Sequence, residues 1–439
     1  MRFLLINPWI YDFAAYDLWM KPLGLLYLSS VFKAYGHEVQ LIDCLDSFDR
    51  DGRFGTHRLH AEEVKKPLPL SSVPRRYKRY GMPLDEFSGL LEKQQVPDAI
   101  CLTSMMTYWY PGVQKAVEFC RSRFPEVPIY LGGVYATLCP EHASHILPEV
   151  TLLPGFGIDS LFQQCLPGSS SYPKGWKCED GGLFSYEPDY GLYPDLVSAS
   201  ILTSIGCPLH CTYCASRTLQ PAFIQRPVAD VLTEIDHLID TTGVGDIAFY
   251  DDALLWNRER HAKPLFQAIW ERNYSVRFHL PNGIHIREID EELASLLFSC
   301  HVETLRLSFE SSSPDRQKDS SSKASVQDLE RAVKLFVRSG YRASSLHVYV
   351  LMGLPGQSLA EVRESAAFVH SLGCQVDLAE YSPVPHTVEF KRSLAINSAI
   401  AEEPLLQNNT IFPLLSDRAD FRAMEQYKSR VSQKNKQLK

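Results

Sequence analysis

Residues 199–214 read ASILTSIGCPLHCTYC, and this stretch decides the fold prediction. Residues 199–204 (ASILTS) have the length of a buried strand, and a loop with three cysteines follows them directly. Cys207, Cys211 and Cys214 are four and three residues apart, so they share one tight loop. The other eight of the eleven cysteines are scattered, which is typical of buried small side chains and not of a disulfide scaffold.

The spacing of these cysteines bears on the metal that they would bind. Zinc sites usually take four ligands in two pairs, and the sequence has no second cysteine pair of this kind. His210 is a possible fourth ligand, but as the neighbour of Cys211 it would project away from a shared metal. Three cysteines suit a cubane cluster whose fourth iron stays open to another ligand. The pattern therefore favours an open-site iron–sulfur cluster over zinc or chance spacing.

The residues after the cysteine loop alternate between strand and helix patterns. Six strand–helix units in about 190 residues are fewer than the eight of a closed barrel, so residues 197–390 predict a partial barrel. Helical patterns separate the strands. The strands that follow the first one are predicted at 246–250, 276–280, 303–309, 346–351 and 376–381.

The first 165 residues show the same alternation, which predicts a doubly wound, Rossmann-like parallel sheet in an α/β protein. A long insertion at 47–96, rich in Lys and Arg, is expected to be a solvated surface loop or a lid. Residues 166–196 are rich in Gly, Ser, Pro and Tyr and are expected to be a linker. Residues 391–439 are expected to form a helical extension. The strands of the first domain are predicted at 2–7, 38–43, 98–103, 128–133 and 150–153.

Residues 197–390 resemble the radical S-adenosylmethionine (SAM) superfamily. The resemblance rests on the pattern C-x3-C-x-aromatic-C, with Tyr213 as the aromatic residue, in a loop after the first barrel strand. It implies a [4Fe–4S] cluster on Cys207, Cys211 and Cys214, with SAM bound at the open iron. It also implies that one electron cleaves the sulfonium and gives a 5′-deoxyadenosyl radical, which abstracts hydrogen from a substrate.

The resemblance also implies residues that contact SAM. Tyr213 belongs to the cysteine motif, Asp251 and Asp252 follow the second barrel strand, and Ser308 and Glu310 end the fourth. The alternative interpretation is two solvated loop acids and an ordinary helix cap. Four further residues near strand ends are possible contacts of the substrate, namely His279, Glu380, Tyr381 and His386.

The first domain resembles the cobalamin-binding branch of the superfamily. Residues 21–43 (KPLGLLYLSSVFKAYGHEVQLID), 101–116 (CLTSMMTYWYPGVQKA) and 130–143 (YLGGVYATLCPEHA) carry this resemblance. The D-x-H-x-x-G motif that supplies an axial histidine in other cobalamin proteins is absent. The alternatives are another ligand, a purely structural domain, or substrate recognition. The cobalamin contacts that the resemblance implies are Ser104, Thr107, Gly132, Gly133 and Thr137.

The sequence thus predicts an oxygen-sensitive radical SAM enzyme, either a cobalamin-dependent methyltransferase of an unactivated centre or a cobalamin-independent enzyme of rearrangement, cyclisation or oxidation. A non-catalytic electron carrier is the less favoured third class. A net charge of −8 argues against a general affinity for nucleic acid. No membrane span is expected, which predicts a cytoplasmic protein. The predicted partners are a small-molecule or peptide substrate of unspecified structure and a reductant such as flavodoxin or ferredoxin.

Overall fold

The computed structural model describes residues 1–46, 53–155, 182–320, 324–415 and 417–438. The chain divides into two compact units. The first consists of Met1–Ala199 and Ala399–Thr410, and the second of Ser200–Ser398 and Ile411–Lys439. The predicted domain boundaries at 165, 196 and 390 stay predictions, and the predicted core cysteines Cys165 and Cys178 lie outside the described residues. None of the described helices is both long and apolar enough to cross a membrane.

The first unit is built around a parallel sheet. Its strands are β1 (Arg2–Asn7), β2 (Ile10–Asp12), β3 (Glu38–Asp43), β4 (Ala61–Glu63), β5 (Lys78–Tyr80), β6 (Ala99–Leu102), β7 (Ile129–Leu131) and β8 (Thr151–Leu152). Its helices are α1 (Leu23–Ala34), α2 (Leu84–Lys93), α3 (Tyr110–Arg123), α4 (Gly133–Leu138) and α5 (Pro140–Ile146).

Five of these strands form one parallel sheet in the order β3-β1-β6-β7-β8. The residues of β1 after Arg2 are buried on both faces, as expected of a central parallel strand that is covered by helices. Phe3 stacks on Phe32 of α1, with ring centroids 3.7 Å apart. The predicted doubly wound sheet is confirmed.

The insertion at 47–96 has more structure than a loop. Its described part, 53–96, contributes β4, β5 and α2, and β5 pairs with both β2 and β4 in a small antiparallel sheet. Ile10, Leu59 and Tyr80 form an apolar cluster there. The sequence analysis, which expected a solvated surface loop or a lid, did not predict these strands, because strands of three residues such as the exposed AEE of β4 are too short to show an apolar alternation.

The part of the predicted linker that the structure describes packs on the first unit. Tyr193 donates a hydrogen bond to the Asp43 carboxylate at the end of β3, with an oxygen–oxygen distance of 2.7 Å. Asp189 forms an ion pair with Lys33 of α1 at 2.6 Å. Residues 182–196 therefore form part of the first unit's surface.

The second unit, with the strand that leads into it, contains the remaining elements. The strands are β9 (Ser198–Ile201), β10 (Ser204–Ile205), β11 (Ile224–Gln225), β12 (Asp246–Phe249), β13 (Arg277–His285), β14 (Val302–Glu310), β15 (Leu346–Met352) and β16 (Gln375–Glu380). The helices are α6 (Ser216–Leu219), α7 (Val228–Thr242), α8 (Ala262–Arg272), α9 (Glu291–Ser299), α10 (Pro314–Ser320), α11 (Val326–Arg338), α12 (Leu359–Ser371), α13 (Val388–Leu394) and α14 (Arg418–Leu438).

Six of these strands form one sheet in the order β16-β15-β14-β13-β12-β9. The strands β12 to β16 are parallel to their neighbours, and β9 and β16 are the two ends of the array. Side-chain caps fix the starts of the intervening helices: Asp290 caps α9, and Ser325 and Asp328 form a capping box on α11. The predicted partial (βα)6 barrel is confirmed, and the loops that carry the predicted site residues share its carboxyl edge.

Candidate active site

The cysteine loop is closed at its base by a short antiparallel ladder. Ser204 and Ile205 of β10 pair with Gln225 and Ile224 of β11, so the loop between them leaves and returns at the same point. Gly206 has a φ of 74°, and a Cβ atom at this position would collide with the carbonyl oxygen of Ala222. Only glycine meets both conditions without strain, and the chain can therefore turn directly from β10 into the cysteines.

The three cysteines of this loop are all at least partly accessible to solvent, whereas the other described cysteines except Cys139 are buried. Cys207 and Cys211 are half-buried, Cys214 is exposed, and none of the three forms a disulfide. The backbone N–H and the hydroxyl group of Ser216 lie 3.5 Å and 3.1 Å from the Cys214 sulfur. Burial, by contrast, raises the pKa to about 12 and keeps the thiol protonated at four other positions, namely Cys120, Cys139, Cys300 and Cys374.

These residues fit a cubane cluster. A cluster of this kind binds thiolates, and the three loop cysteines are at least partly accessible and form no disulfide. No three His, Cys, Asp or Glu side chains of the described ranges converge on one ion position. A cubane does not need such convergence, because each cysteine binds a different iron atom.

Glu389 holds the middle of the loop in place. The Thr212 hydroxyl donates to the Glu389 carboxylate at 3.0 Å, and the Glu389 backbone N–H donates to the Thr212 carbonyl at 3.0 Å. The Thr212 N–H donates to the carbonyl of Ser320, the last residue of α10, at 2.8 Å. Glu389 is 1% exposed and lies on α13. The sequence analysis missed this residue because a single Glu on a short helix carries no pattern.

Tyr213 connects the loop to the fourth barrel strand. Burial raises the pKa of the Tyr213 phenol well above its ordinary value, and the charge of Glu310 and the hydrogen bond to it raise it further. The ring packs against Leu351, Leu354 and Tyr381. Glu310 ends β14 with a φ of 74°, which is unusual for a residue other than glycine. The structure therefore brings together two of the predicted SAM contacts, Tyr213 and Glu310.

We expect Tyr213→Phe to loosen the cysteine loop. The change keeps the ring but removes the hydrogen bond to a carboxylate, so the free energy of unfolding should fall by about 1.5–3 kcal/mol. The reconstituted protein should also lose iron faster to a chelator. Tyr381→Phe is the matched control, because Tyr381 belongs to the same apolar cluster and its hydroxyl lies 3.1 Å from the neutral hydroxyl of Ser393. Equal rates of iron release in both variants would show that the Tyr213 phenol does not anchor the loop.

The two predicted carboxylates after β12 have different environments. Asp251 is 3% exposed, and its carboxylate accepts hydrogen bonds from the Thr203 N–H (3.1 Å), the Thr203 hydroxyl (2.8 Å) and the Ser204 hydroxyl (2.6 Å). Burial raises the pKa of Asp251, and these hydrogen bonds oppose the rise. Asp252 is exposed. The geometry makes Asp251 a brace between β12 and the start of the cysteine loop, and binding of SAM by either carboxylate stays a prediction.

A cleft that is partly open to solvent lies at the carboxyl ends of β12 and β13. One wall is Leu209, which stands between two of the cysteines. The remaining walls include Asp252, Asn282, Gly283, His285 and Glu288.

Ser308 lies beside this cleft but is already hydrogen-bonded within the barrel. Its hydroxyl donates to the Gly283 carbonyl at 2.9 Å, and the residue is 7% exposed. A Cβ atom on Gly283 would collide with that hydroxyl, so the two residues are packed directly against each other. A contact between Ser308 and SAM stays a prediction.

His279 is not a cavity residue, which corrects the expectation for it. Its side chain is fully buried, with Nε2 2.9 Å from the Asp246 carboxylate and Nδ1 3.0 Å from the Thr304 hydroxyl. Asp246 begins β12, so this pair lies at the amino end of the strand, away from the site edge. The alternation of apolar residues along the sequence could not show that His279 lies near the amino end of its strand.

The other expected substrate contacts are largely engaged within the second unit. Glu380 forms an ion pair with Lys428 of α14. Tyr381 is 4% exposed and belongs to the apolar cluster beside Tyr213. His386 is exposed and follows β16 with a φ of 69°. Of these three, only His386 presents its side chain to solvent.

The first unit has a second candidate site at the carboxyl edge of its sheet. The chain leaves β1 toward β3 on one side and leaves β6 toward β7 on the other, so the loops after β1 and β6 diverge. Crevices at such reversal points bind ligands in doubly wound sheets. A cleft of about 240 Å³, partly open to solvent, lies there and is lined by Asn7, Pro8, Trp9, Ile10, Leu45, Ser104, Met105, Trp109 and Val113.

The predicted cobalamin contacts surround the loops after β6 and β7. The Ser104 hydroxyl donates to the Met106 carbonyl at 2.9 Å, and the Thr137 hydroxyl donates to the Gly133 carbonyl at 2.7 Å. Thr107 is buried, with 5% exposure. Gly133 has a φ of 86°, and a Cβ atom there would come within 2.8 Å of the Ser104 nitrogen. Gly133 is therefore required by the packing of the fold itself.

Gly132 differs from Gly133 in both respects. Its φ is −109°, which any residue can adopt, and a Cβ atom there would have only an ordinary contact of 3.7 Å with the Leu153 carbonyl. Neither backbone conformation nor packing within the described fold requires glycine at this position. A glycine at position 132 would, however, allow a ligand to approach the backbone closely.

The comparison with protein families agrees with this geometry. Residues 201–369 match the radical SAM superfamily. The second unit carries a radical SAM domain. Residues 201–369 therefore form a radical SAM domain, a type of domain that uses a [4Fe–4S] cluster and SAM. The prediction of this superfamily from the cysteine motif is confirmed.

Relatives of this radical SAM enzyme extend over both units. A cytidylyl-2-hydroxyethylphosphonate methyltransferase of Streptomyces wedmorensis is 22% identical over 414 residues, which cover 80% of this chain and 73% of that protein. The structure is similar to that of TsrM, a radical SAM methyltransferase from Kitasatospora setae, solved with tryptophan and a SAM analogue. The TM-score is 0.67 at 17% identity, covering 91% of this chain and 76% of that one. A second TsrM structure holds cobalamin and a [4Fe–4S] cluster, with a TM-score of 0.63, 17% identity and coverage of 91% and 75%.

Proposed function

We propose that this radical SAM enzyme is a cobalamin-dependent methyltransferase that acts on an unactivated carbon or phosphorus centre. One observation carries the assignment of the catalytic centre: Leu209 of the cysteine loop and Asp252 line the same cleft. A cluster on the loop would therefore lie beside a carboxylate and a cleft that is partly open to solvent.

The chain's own residues then have distinct tasks at this centre. Cys207, Cys211 and Cys214 hold the cluster, and Asp252 offers its carboxylate to the ammonium group of SAM. Tyr213 and Glu310 position the loop against β14. When bound, the cluster supplies the electron that cleaves the SAM sulfonium.

Cobalamin is proposed for the first unit because its architecture fits such a ligand. The crevice between the loops after β1 and β6 offers polar and aromatic side chains, and Gly132 permits close approach of a large ligand to the backbone. Relatives described as methyltransferases match across both units. Bound cobalamin would supply a carrier for the methyl group. The lack of the D-x-H-x-x-G motif implies that its cobalt takes no histidine ligand from that motif.

A second candidate function is a cobalamin-independent radical SAM reaction of rearrangement, cyclisation or oxidation. The observation in its favour is that the hydroxyls of Ser104 and Thr137 already donate to carbonyl groups of the fold. In that case the first unit would recognise the substrate, and methyl transfer would be absent.

The proposed enzyme needs an external one-electron reductant, and flavodoxin or ferredoxin fits this role. We place the protein in the cytoplasm, where thiol ligands stay reduced. The described cysteines form no disulfide, which agrees with such a compartment.

The experiment that tests the function is anaerobic reconstitution with iron, sulfide and hydroxocobalamin, followed by gel filtration and metal analysis. About four irons and one cobalt per chain would support both cofactors. Reduction in the presence of SAM should then give 5′-deoxyadenosine, S-adenosylhomocysteine or both, and labelled SAM should methylate the substrate. Four irons without cobalt would favour the second candidate, and zinc in place of iron would exclude both functions.

Gly132→Ala tests the cobalamin site separately from the fold. The added methyl group has room in the protein, so the stability should rise by about 0.4–1 kcal/mol or stay unchanged. It would crowd a ligand that lies against the backbone, and cobalamin should dissociate about tenfold more readily. Gly89→Ala in α2 is the control, because no atom lies within 4 Å of a Cβ atom there. Equal cobalt retention in both variants would remove Gly132 from the site.

A further inference from the structure

Gln220 is a buried polar residue whose side chain the mechanism does not yet use. It is 5% exposed and follows α6, six residues after Cys214. Within the part of the chain that the structure describes, neither its Nε2 nor its Oε1 atom has a hydrogen-bond partner. A buried amide without partners costs free energy, and native proteins rarely contain one without a reason.

The position of Gln220 indicates what that reason is. A Cβ atom on Gly206 would come within 3.0 Å of the Gln220 Cγ atom, so the side chain lies against the residue that precedes Cys207. The backbone N–H of Gln220 donates to the Ser216 carbonyl at 2.7 Å, which fixes the residue at the end of α6. Gln220 therefore belongs to the loop between β10 and β11 that carries all three cluster cysteines, and its side chain packs at the start of that loop.

A cluster bound by this loop would bring the acceptors that the amide lacks. Its sulfides and cysteine sulfurs carry negative charge, and the amide nitrogen has two hydrogens to donate. Hydrogen bonds to these sulfurs are among the factors that set the reduction potential of iron–sulfur clusters. They stabilise the reduced form more than the oxidised form, because reduction adds negative charge to the cluster.

We propose that the Gln220 side-chain amide donates a hydrogen bond to a sulfur of the cluster on the Cys207 side and thereby raises its reduction potential. Gln220 is in this sense a positioning and tuning residue, not a ligand. The inference rests on the proposed function only in requiring that the loop bind a [4Fe–4S] cluster, and it is independent of cobalamin and of the substrate.

The test compares Gln220→Leu with the wild-type holoenzyme in a redox titration followed by electron paramagnetic resonance. Loss of the hydrogen bond should shift the reduction equilibrium about tenfold toward the oxidised cluster, which lowers the midpoint potential by about 59 mV. Pulsed measurements in deuterated water should show an exchangeable deuteron coupled to the cluster in the wild type, and this coupling should be lost in the variant. Gln220→Met serves as a second variant that also lacks a donor.

Gln225→Leu is the matched control. Gln225 lies in the same hairpin, but its Nε2 donates to the Trp256 carbonyl at 3.0 Å and its Oε1 accepts from Asn257 at 2.6 Å. This variant should leave the potential unchanged and lower the thermal unfolding midpoint of the apoprotein. Gln220→Leu should instead lower the midpoint potential without lowering the stability. Its apoprotein should unfold at or above the wild-type temperature, because an amide without hydrogen-bond partners has been removed.

The outcomes separate this inference from the proposed function. If the wild type does not bind about four irons, the proposed function fails. If the wild type and both Gln220 variants load the cluster and their potentials coincide, the proposed function stands and the tuning role is overturned. A Gln220→Leu apoprotein that unfolds well below the wild type would assign the amide a structural role in the fold instead.

Discussion

Replacing Cys207, Cys211 or Cys214 with alanine should abolish cleavage of SAM and leave the protein folded. Each cysteine would bind a different iron, so each variant would leave a cubane cluster with only two protein ligands, and we expect such a cluster to be lost on purification. We expect the iron content after reconstitution and gel filtration to fall from about four per chain to near zero. The 5′-deoxyadenosine formed with dithionite should fall to background. The loop is open to solvent, so the unfolding free energy of the apoprotein should change by less than about 1 kcal/mol.

Cys300→Ala is the control for this set of variants. The Cys300 thiol is 3% exposed and lies 3.1 Å from the Phe266 carbonyl, so its removal perturbs the core. It should cost about 1 kcal/mol of stability while iron content and SAM cleavage stay at the wild-type level. Retention of four irons by a Cys211→Ala variant would contradict the assignment of the cluster to this loop.

Asp251→Ala should destabilise the second unit strongly. It leaves the Thr203 N–H and the hydroxyls of Thr203 and Ser204 without their buried acceptor, and each such loss costs about 1–3 kcal/mol. We expect the free energy of unfolding to fall by about 3 kcal/mol or more, as measured by denaturant titration of the apoprotein. Since β10 leads directly into the cysteines, cluster loading should fall as well.

The variant Asp252→Ala distinguishes the structural role of Asp251 from the proposed binding of SAM by Asp252. Asp252 is the exposed neighbour, so its removal should change the stability by no more than about 1 kcal/mol while the affinity for SAM decreases. The opposite pattern would reverse the assignment. An Asp251→Ala protein with wild-type stability and no affinity for SAM would make Asp251, not Asp252, the SAM contact.

Much of the catalytic centre could be predicted from the sequence because its main determinant is local. The cysteines and Tyr213 lie within eight consecutive residues, and their spacing is set by a single turn of chain. Glu310 could be predicted only through the family resemblance. The structure adds the physical reason for its position, since the carboxylate accepts the hydrogen bond of the Tyr213 phenol.

The residues that sequence analysis missed or misplaced all depend on contacts between distant segments. Glu389 forms hydrogen bonds with Thr212, which is 177 positions away in the sequence. The side-chain amide of Gln220 is buried without a hydrogen-bond partner among the described residues because the hairpin covers it. His279 has the sequence context of a cavity residue, but its partner Asp246 lies on the neighbouring strand at the amino end. No pattern within one segment records which of its side chains another segment will cover.

The sequence by itself determined the two parallel sheets, because long apolar runs that alternate with amphipathic helices can bury their surface in few other ways. It also predicted the cluster ligands, whose spacing is a property of one loop. Only the tertiary structure decided which of the adjacent residues Asp251 and Asp252 is a buried brace and which is exposed. Their sequence context is nearly the same, and the difference arises from the hydroxyl groups that β10 and the residue before it bring against one of them.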